Sequence, residues 1–144
     1  QQFFATTAFF NTLVDAELPG LQQLNYLLFG GEQVSVNHVN RFRALYPQVK
    51  LVHVYGPTET TTYATAYLTN TASQAFDYTV PIGQPISNTQ LYILDEQLRP
   101  VPQGAIGELY IGGAGVGRGY LNNPQSTADA FIANPFRSDA ERSR

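Results

Sequence analysis

The sequence predicts an α/β fold in which a parallel βα sheet portion is followed by an antiparallel, small-barrel-like β subdomain. Three observations carry that expectation. Helical and strand-like apolar patterns alternate up to Tyr55, as parallel sheets with right-handed crossovers require. The strand-like run Leu51-Val52-His53-Val54-Tyr55 feeds straight into Gly56-Pro57-Thr58-Glu59, so a turn projects a hydroxyl and a carboxylate at the end of a strand, where open α/β sheets hold ligands. Past residue 85, strand patterns follow one another with no helix between them.

Each element has its own signal. From Thr6 to Asp15, Phe9 with Leu13 and Phe10 with Val14 recur four apart on one helical stripe; Thr6 or Thr7 is the cap, and Pro19-Gly20 stops the pattern. Asn25 to Phe29 is a short continuous apolar run, suited to a buried parallel strand. Ser35 is placed to cap a second helix in which Val36, Val39, Phe42 and Leu45 share a side, ended by Pro47. Lys50 to Tyr55 is the next strand, and Thr60 to Thr69 is a further β-rich run. Residues 70–85 are polar and Pro-punctuated and read as a loop. Gln90 to Asp95 and Glu108 to Gly112 are strands separated by the turn-rich Arg99 to Gly104. Asn123 before Pro124 opens a helix to about Ala133, halted by Pro135. The two portions are expected at residues 1–85 and 86–144.

Composition excludes several function classes. With 43% hydrophobic and 13% charged residues in 144, the chain has enough apolar material for one core and no disorder signature. A net charge of −3 with scattered Lys and Arg leaves no electrostatic footprint for nucleic acid. No apolar run reaches membrane-span length, and the Phe-rich start lacks the basic flank of a signal peptide, so a cytoplasmic setting is expected without membrane partners. No Cys is present, which removes disulfides and a thiol nucleophile, and His38 and His53 alone do not make a zinc site. The start at Gln1 and the charged run Asp139 to Arg144 read as the ends of a piece of a longer protein.

Thr58 and Glu59 are the first candidates for chemistry. A hydroxyl beside a carboxylate suits a phosphate oxygen and a magnesium ion, which takes oxygen ligands and bridges carboxylate to phosphate. A turn carrying two solvated polar residues is the alternative on these residues alone. Tyr55-Gly56-Pro57-Thr58-Glu59 resembles the nucleotide-binding core motif of the adenylate-forming enzymes, specifically the amino-acid adenylation domains of nonribosomal peptide synthetases. The block from Gly107 to Leu121, GELYIGGAGVGRGYL, resembles the family's next core motif, and Pro81 to Pro85 and Leu91 to Asp95 are similar to its connecting segments.

The resemblance implies a division of labour. Thr58 binds phosphate, Glu59 ligates magnesium, the Tyr55 ring packs on adenine, and Gly30-Gly31-Glu32 with Gly56 provides close-approaching backbone around the nucleotide. His53 stands where the family usually has Asn contacting the adenine amino group; an unprotonated ring nitrogen accepts the same hydrogen bond. Phe4, Leu28, Gly30, Val54, Thr62 and Tyr63 match positions that read the amino-acid side chain. Neighbours along a strand face opposite ways, so the pleat sets Val54 and Tyr55 on different faces. The set holds no charge to pair with Asp, Glu, Lys or Arg, and resembles family pockets selecting isoleucine, with valine and leucine one methylene away at about 1–3 kcal/mol. The second block is read as mainly structural, with Arg118 as its one long cation near the site.

The activity implied is ATP-dependent formation of an aminoacyl adenylate, then transfer to the phosphopantetheine thiol of a peptidyl carrier protein, beside a condensation domain. The family's Gly-rich phosphate loop, the Asp that grips the substrate amino group, the ribose-binding Asp and the mobile Lys have no match here, so the segment alone is expected to be inactive. An acyl- or aryl-CoA ligase of the same superfamily and a non-catalytic binding module are the alternatives.

Overall fold

The computed structural model describes residues 1–71 and 75–136, leaving Asp139 to Arg144 and part of the 70–85 loop outside the described residues. The chain runs β1 (Gln2–Thr6), α1 (Thr7–Asp15), β2 (Tyr26–Gly30), α2 (Val36–Leu45), β3 (Lys50–Tyr55), β4 (Thr65–Leu68), β5 (Gln84–Pro85), β6 (Thr89–Leu94), β7 (Glu108–Gly113) and α3 (Pro124–Ala130). The first five strands form one sheet in sequence order, and β6 with β7 forms a second. β1, β2 and β3 are parallel, whereas β4 and β5 add antiparallel, so the sheet is mixed.

Register explains where the core lies. Ala5 pairs with Phe29, and Leu27 with Leu51, placing these buried side chains on one face with Phe10, Leu13 and Val14 of α1 and Val39 and Phe42 of α2. Both helices, each joining neighbouring parallel strands, pack on that face, as crossovers of the usual right hand in one direction would place them. Phe10 and Phe29 stack at 4.5 Å, and Phe42 tilts onto Phe10 at 5.6 Å. The other face carries Phe4, Leu28, Gly30, Val52 and Val54.

Several local expectations are corrected. The strand β1 precedes the helix and is not legible in the apolar start. Thr6 caps α1, accepting from the Phe9 N–H at 3.4 Å, but Phe9 is 47% exposed and packs edge-on to Phe3 rather than entering the core. Ser35 sits at the N-cap of α2 without a side-chain capping bond; its hydroxyl instead meets His38 Nδ1 at 2.6 Å. Leu45 is also outside the core: spacing by threes drifts round a helix of 3.6 residues per turn, and Tyr46, four past Phe42, closes the stripe instead. The β-rich run from Thr60 becomes a strand only at Thr65, since Thr58–Thr60 form a 3-10 turn and Thr61 and Thr62 take φ of 59° and 71°. α3 ends at Ala130, short of Ala133, with Phe131 already extended.

Where β4 stops, side chains continue its work. Asn70 accepts from the Leu51 N–H at 2.8 Å and donates to the Val49 carbonyl at 3.2 Å, while the Thr69 hydroxyl donates to the Leu51 carbonyl at 3.0 Å. Substituting Asn70→Ala leaves a part-buried strand donor unmet, and denaturant unfolding of a complete domain is expected to show a loss of about 1–3 kcal/mol.

Candidate functional site

The carboxyl ends of β2 and β3 hold the candidate residues, and the pleat of β3 sorts them. His53 pairs in register with Phe29 and stacks on its ring at 5.2 Å, so it lies on the helix-covered face; Tyr55, two residues on, follows it toward the sheet end. Val54 pairs with Gly30 and turns to the opposite face with Leu28 and Phe4, which pair with one another. A Cβ at Gly30 would stand 2.0 Å from the Val54 carbonyl oxygen, so this strand approach requires glycine.

Two cavities flank β3. One, of about 460 Å³, is lined by Gly31, Glu32, His53, Tyr55, Gly56 and, from the following loop, Tyr78, Thr79, Val80 and Ile82. The other, of about 450 Å³, is lined by Phe4, Val54, Thr58, Thr61, Thr62 and Tyr63 and has no charged residue in its wall. Gly31, Val54 and Gly56 border both. Phe4 and Tyr63 meet ring to ring at 5.7 Å, closing the second cavity from β1 to the loop beyond Glu59. Leu28 and Gly30 share that cavity's sheet face without lining it. Gly56 allows the loop to fold back: a Cβ there would lie 2.7 Å from the Thr62 carbonyl and the Ala64 amide.

His53 is fixed in one tautomer. The Pro81 carbonyl, 2.9 Å from Nδ1, only accepts, so Nδ1 carries the proton and neutral Nε2 remains an acceptor. Burial pushes the ring's pKa down, with the Pro81 bond opposing it. Sequence reasoning missed the Tyr78–Ile82 wall as a site element, although Pro81-Ile82-Gly83-Gln84-Pro85 matches a connecting segment of the family. The wall is placed by Asn40 of α2, whose side chain donates to the Phe76 carbonyl at 2.8 Å and accepts from the Phe76 N–H at 2.9 Å.

Glu59 opens toward a third cavity of about 510 Å³, shared with Tyr55, Pro57, Glu108, Arg118 and Phe131. The Tyr120 hydroxyl donates to the Glu59 carboxylate, and this bond, helped by the residue's own backbone N–H, holds the carboxyl below the usual range. The second glycine block is therefore joined to the first motif: the Gly117 N–H donates to the Glu59 carbonyl at 2.7 Å, and the Thr61 hydroxyl to the Gly115 carbonyl at 2.7 Å. Among the described residues no group of three or more His, Cys, Asp or Glu gathers to cage a metal. One ionised carboxylate facing a cavity fits magnesium, which binds through one or two carboxylates plus substrate phosphates.

Residues 1–121 match the family model for AMP-binding enzymes. Malpibaldin synthetase of Mortierella alpina is 46% identical over 136 residues, 94% of this chain and 2% of that protein. Surfactin synthase subunit 3 of Bacillus subtilis (strain 168) is 46% identical over 134 residues, 93% of the chain and 10% of that protein. The chain thus spans a small fraction of the curated relatives it matches. Among solved structures, PA1221, an NRPS protein containing adenylation and PCP domains, superimposes with a TM-score of 0.84 at 34% identity, over 94% of this chain and 28% of that one. The Klebsiella oxytoca NpsA N-terminal subdomain in complex with 3-hydroxybenzoyl-AMSN gives 0.85 at 27% identity, over 95% and 35%. No helix among the described residues is long and apolar enough to cross a membrane.

Proposed function

The chain belongs to the AMP-binding enzyme family, and from that premise we propose that it is the part of a nonribosomal peptide synthetase adenylation domain where amino acid and nucleotide meet, activating isoleucine, or valine or leucine, with ATP. The observation that carries this reading is the pair of cavities on opposite faces of β3 with a shared wall of Gly31, Val54 and Gly56. Such a wall brings two ligands together at one strand end while keeping their recognition separate.

On this reading the uncharged cavity takes the aliphatic side chain against Phe4, Val54, Thr62 and Tyr63, with Leu28 and Gly30 behind. The cavity beside His53 and Tyr55 takes the nucleotide, with Gly31 and Glu32 of the Gly30-Gly31-Glu32 turn in its wall over the adenine and Nε2 of His53 accepting from its amino group. A carboxylate oxygen of the amino acid forms a bond to the α-phosphorus, and the bond to pyrophosphate breaks. Thr58 hydrogen-bonds phosphate and orients it; Glu59 holds magnesium, which supplies charge neutralisation as pyrophosphate departs. No protein nucleophile is needed, and positioning does most of the work. The aminoacyl group then passes to the phosphopantetheine thiol of a carrier protein. Similar solved chains that join adenylation and PCP domains support such a partner; a condensation domain beyond it is part of the same proposal.

Amino-acid-dependent exchange of pyrophosphate into ATP, measured on a complete domain carrying this segment, tests the proposal. Isoleucine is expected to give the highest rate, followed by valine or leucine. A maximum with a charged amino acid contradicts the pocket assignment, and thioester formation on coenzyme A without any amino-acid-dependent exchange moves the chain to the acyl-CoA ligases.

His53 adds a pH dependence absent from an Asn. Its folded pKa lies below its ordinary value of about 6.5, so Nε2 stays an acceptor above that value. AMP affinity is expected to be level there and to fall as pH drops through the lowered pKa; domain stability falls earlier, between the ordinary and the lowered pKa, because the unfolded chain takes the proton first. Calorimetric AMP titration across this range checks it, and His53→Asn should flatten the curve.

A further inference from the structure

We propose that Tyr120 is a positioning residue for the metal-binding carboxylate: its hydroxyl occupies one oxygen of Glu59 and sets the other toward the cation. The inference rests on the reading that Glu59 holds magnesium. Tyr120 lies 61 positions along the chain from Glu59, yet its phenol O–H donates to Glu59 Oε1. A partly exposed glutamate otherwise samples several rotamers, and a phenol donor on Oε1 selects among them without taking the coordinating lone pairs of Oε2.

Tyr120 is itself held from two sides. Its backbone N–H donates to the Thr127 hydroxyl of α3 at 2.8 Å, and that hydroxyl donates in turn to the Asn123 carbonyl at 2.9 Å. Its ring meets Phe131 edge to face at 5.5 Å. The early end of α3 has a purpose in this arrangement, since an extended Phe131 offers its ring to Tyr120. Gly117, donating to the Glu59 carbonyl, fixes the backbone of the carboxylate while Tyr120 fixes its head. The second glycine block, read from sequence as structural, therefore reaches the chemistry through this one hydroxyl.

The test uses a complete domain, a non-hydrolysable ATP analogue and calorimetry with saturating magnesium or with EDTA. Tyr120→Phe, which keeps the ring on Phe131, is expected to cut the magnesium-dependent gain in analogue affinity about tenfold, as loss of a metal ligand's hydrogen-bond partner does. Affinity in EDTA and the thermal midpoint should hold. In exchange assays the same variant should raise the magnesium concentration for half-maximal rate by a similar factor. Phe131→Leu, which loosens the ring seat and keeps the hydroxyl, should give a smaller loss in the same direction. Adding Tyr120→Phe to Glu59→Gln should change nothing further. A Tyr120→Phe variant with unchanged magnesium dependence, or one losing affinity equally in EDTA with a lowered midpoint, overturns the proposal. If Glu59→Gln itself leaves magnesium dependence intact, the reading of Glu59 has failed instead.

Discussion

Glu59→Gln is expected to lower the rate of amino-acid-dependent pyrophosphate exchange by about a hundredfold or more, on the order of what loss of a preorganised charge-stabilising group costs. The substitution keeps the size and one acceptor oxygen, and replaces the other oxygen and the negative charge with an amide NH2. Its folding cost should be small, because the residue is partly exposed and its backbone is held independently by Gly117. The carboxyl is held below its usual range by the Tyr120 hydroxyl, so it remains ionised throughout the working pH range and has no part as a proton donor. The split between constants is informative. Amino-acid KM should stay within a few-fold, since Glu59 does not line the Phe4–Tyr63 cavity, while kcat and the magnesium requirement change together. Exchange kinetics at varied magnesium, with the thermal midpoint as a control, read all three.

Phe29→Ala is expected to be the most destabilising single change, at about 3–5 kcal/mol, a large share of a domain's stability. Phe29 is fully buried, stacks on Phe10 and on His53, and belongs to β2 at the centre of the parallel strands. Its removal opens a cavity under both helices and takes away the surface that orients His53, so AMP affinity should fall in parallel with the denaturation midpoint. Phe9→Ala is the contrast. Phe9 is half exposed and touches Phe3 only at an edge, and its loss should cost about 1 kcal/mol or less.

The two phenylalanines show what the sequence discloses. Phe9 and Phe10 have equal claim to a helical stripe on spacing alone, and only the sheet beneath α1 decides between them. The same holds for Leu45 and Tyr46, where the drift of a three-residue spacing is readable but the favoured side is not. β2, β3 and the pairing strands β6 and β7 are plain in their apolar runs. β1 is not, because an edge strand with exposed Phe3 and Phe4 has neither alternation nor burial to mark it. Thr60 to Ala64 misleads by β-propensity: two consecutive threonines with positive φ are held by tertiary contacts to Gly115 and around Gly56, and no local pattern signals them.

The candidate site is readable wherever it coincides with a motif. Val54 against Tyr55 follows from the pleat, and the neutral acceptor on His53 is foreseeable as a chemical option. Its tautomer is not, because it depends on the Pro81 carbonyl, carried by a segment that Asn40 anchors through Phe76, 36 positions away. Tyr120 lies inside one recognised motif, and its partner Glu59 lies inside another. Their meeting is a property of how the β6–β7 region settles on the sheet, which spacing does not encode.

In the proposed function β3 separates side-chain recognition from nucleotide recognition, and a crystal structure of a complete domain with a non-hydrolysable isoleucyl-adenylate mimic tests that division. The isoleucine side chain is expected among Phe4, Val54, Thr62 and Tyr63, and the purine against Tyr55 with its amino group toward Nε2 of His53. A purine seated between Phe4 and Tyr63, or an amino-acid side chain on the His53 face, would contradict it.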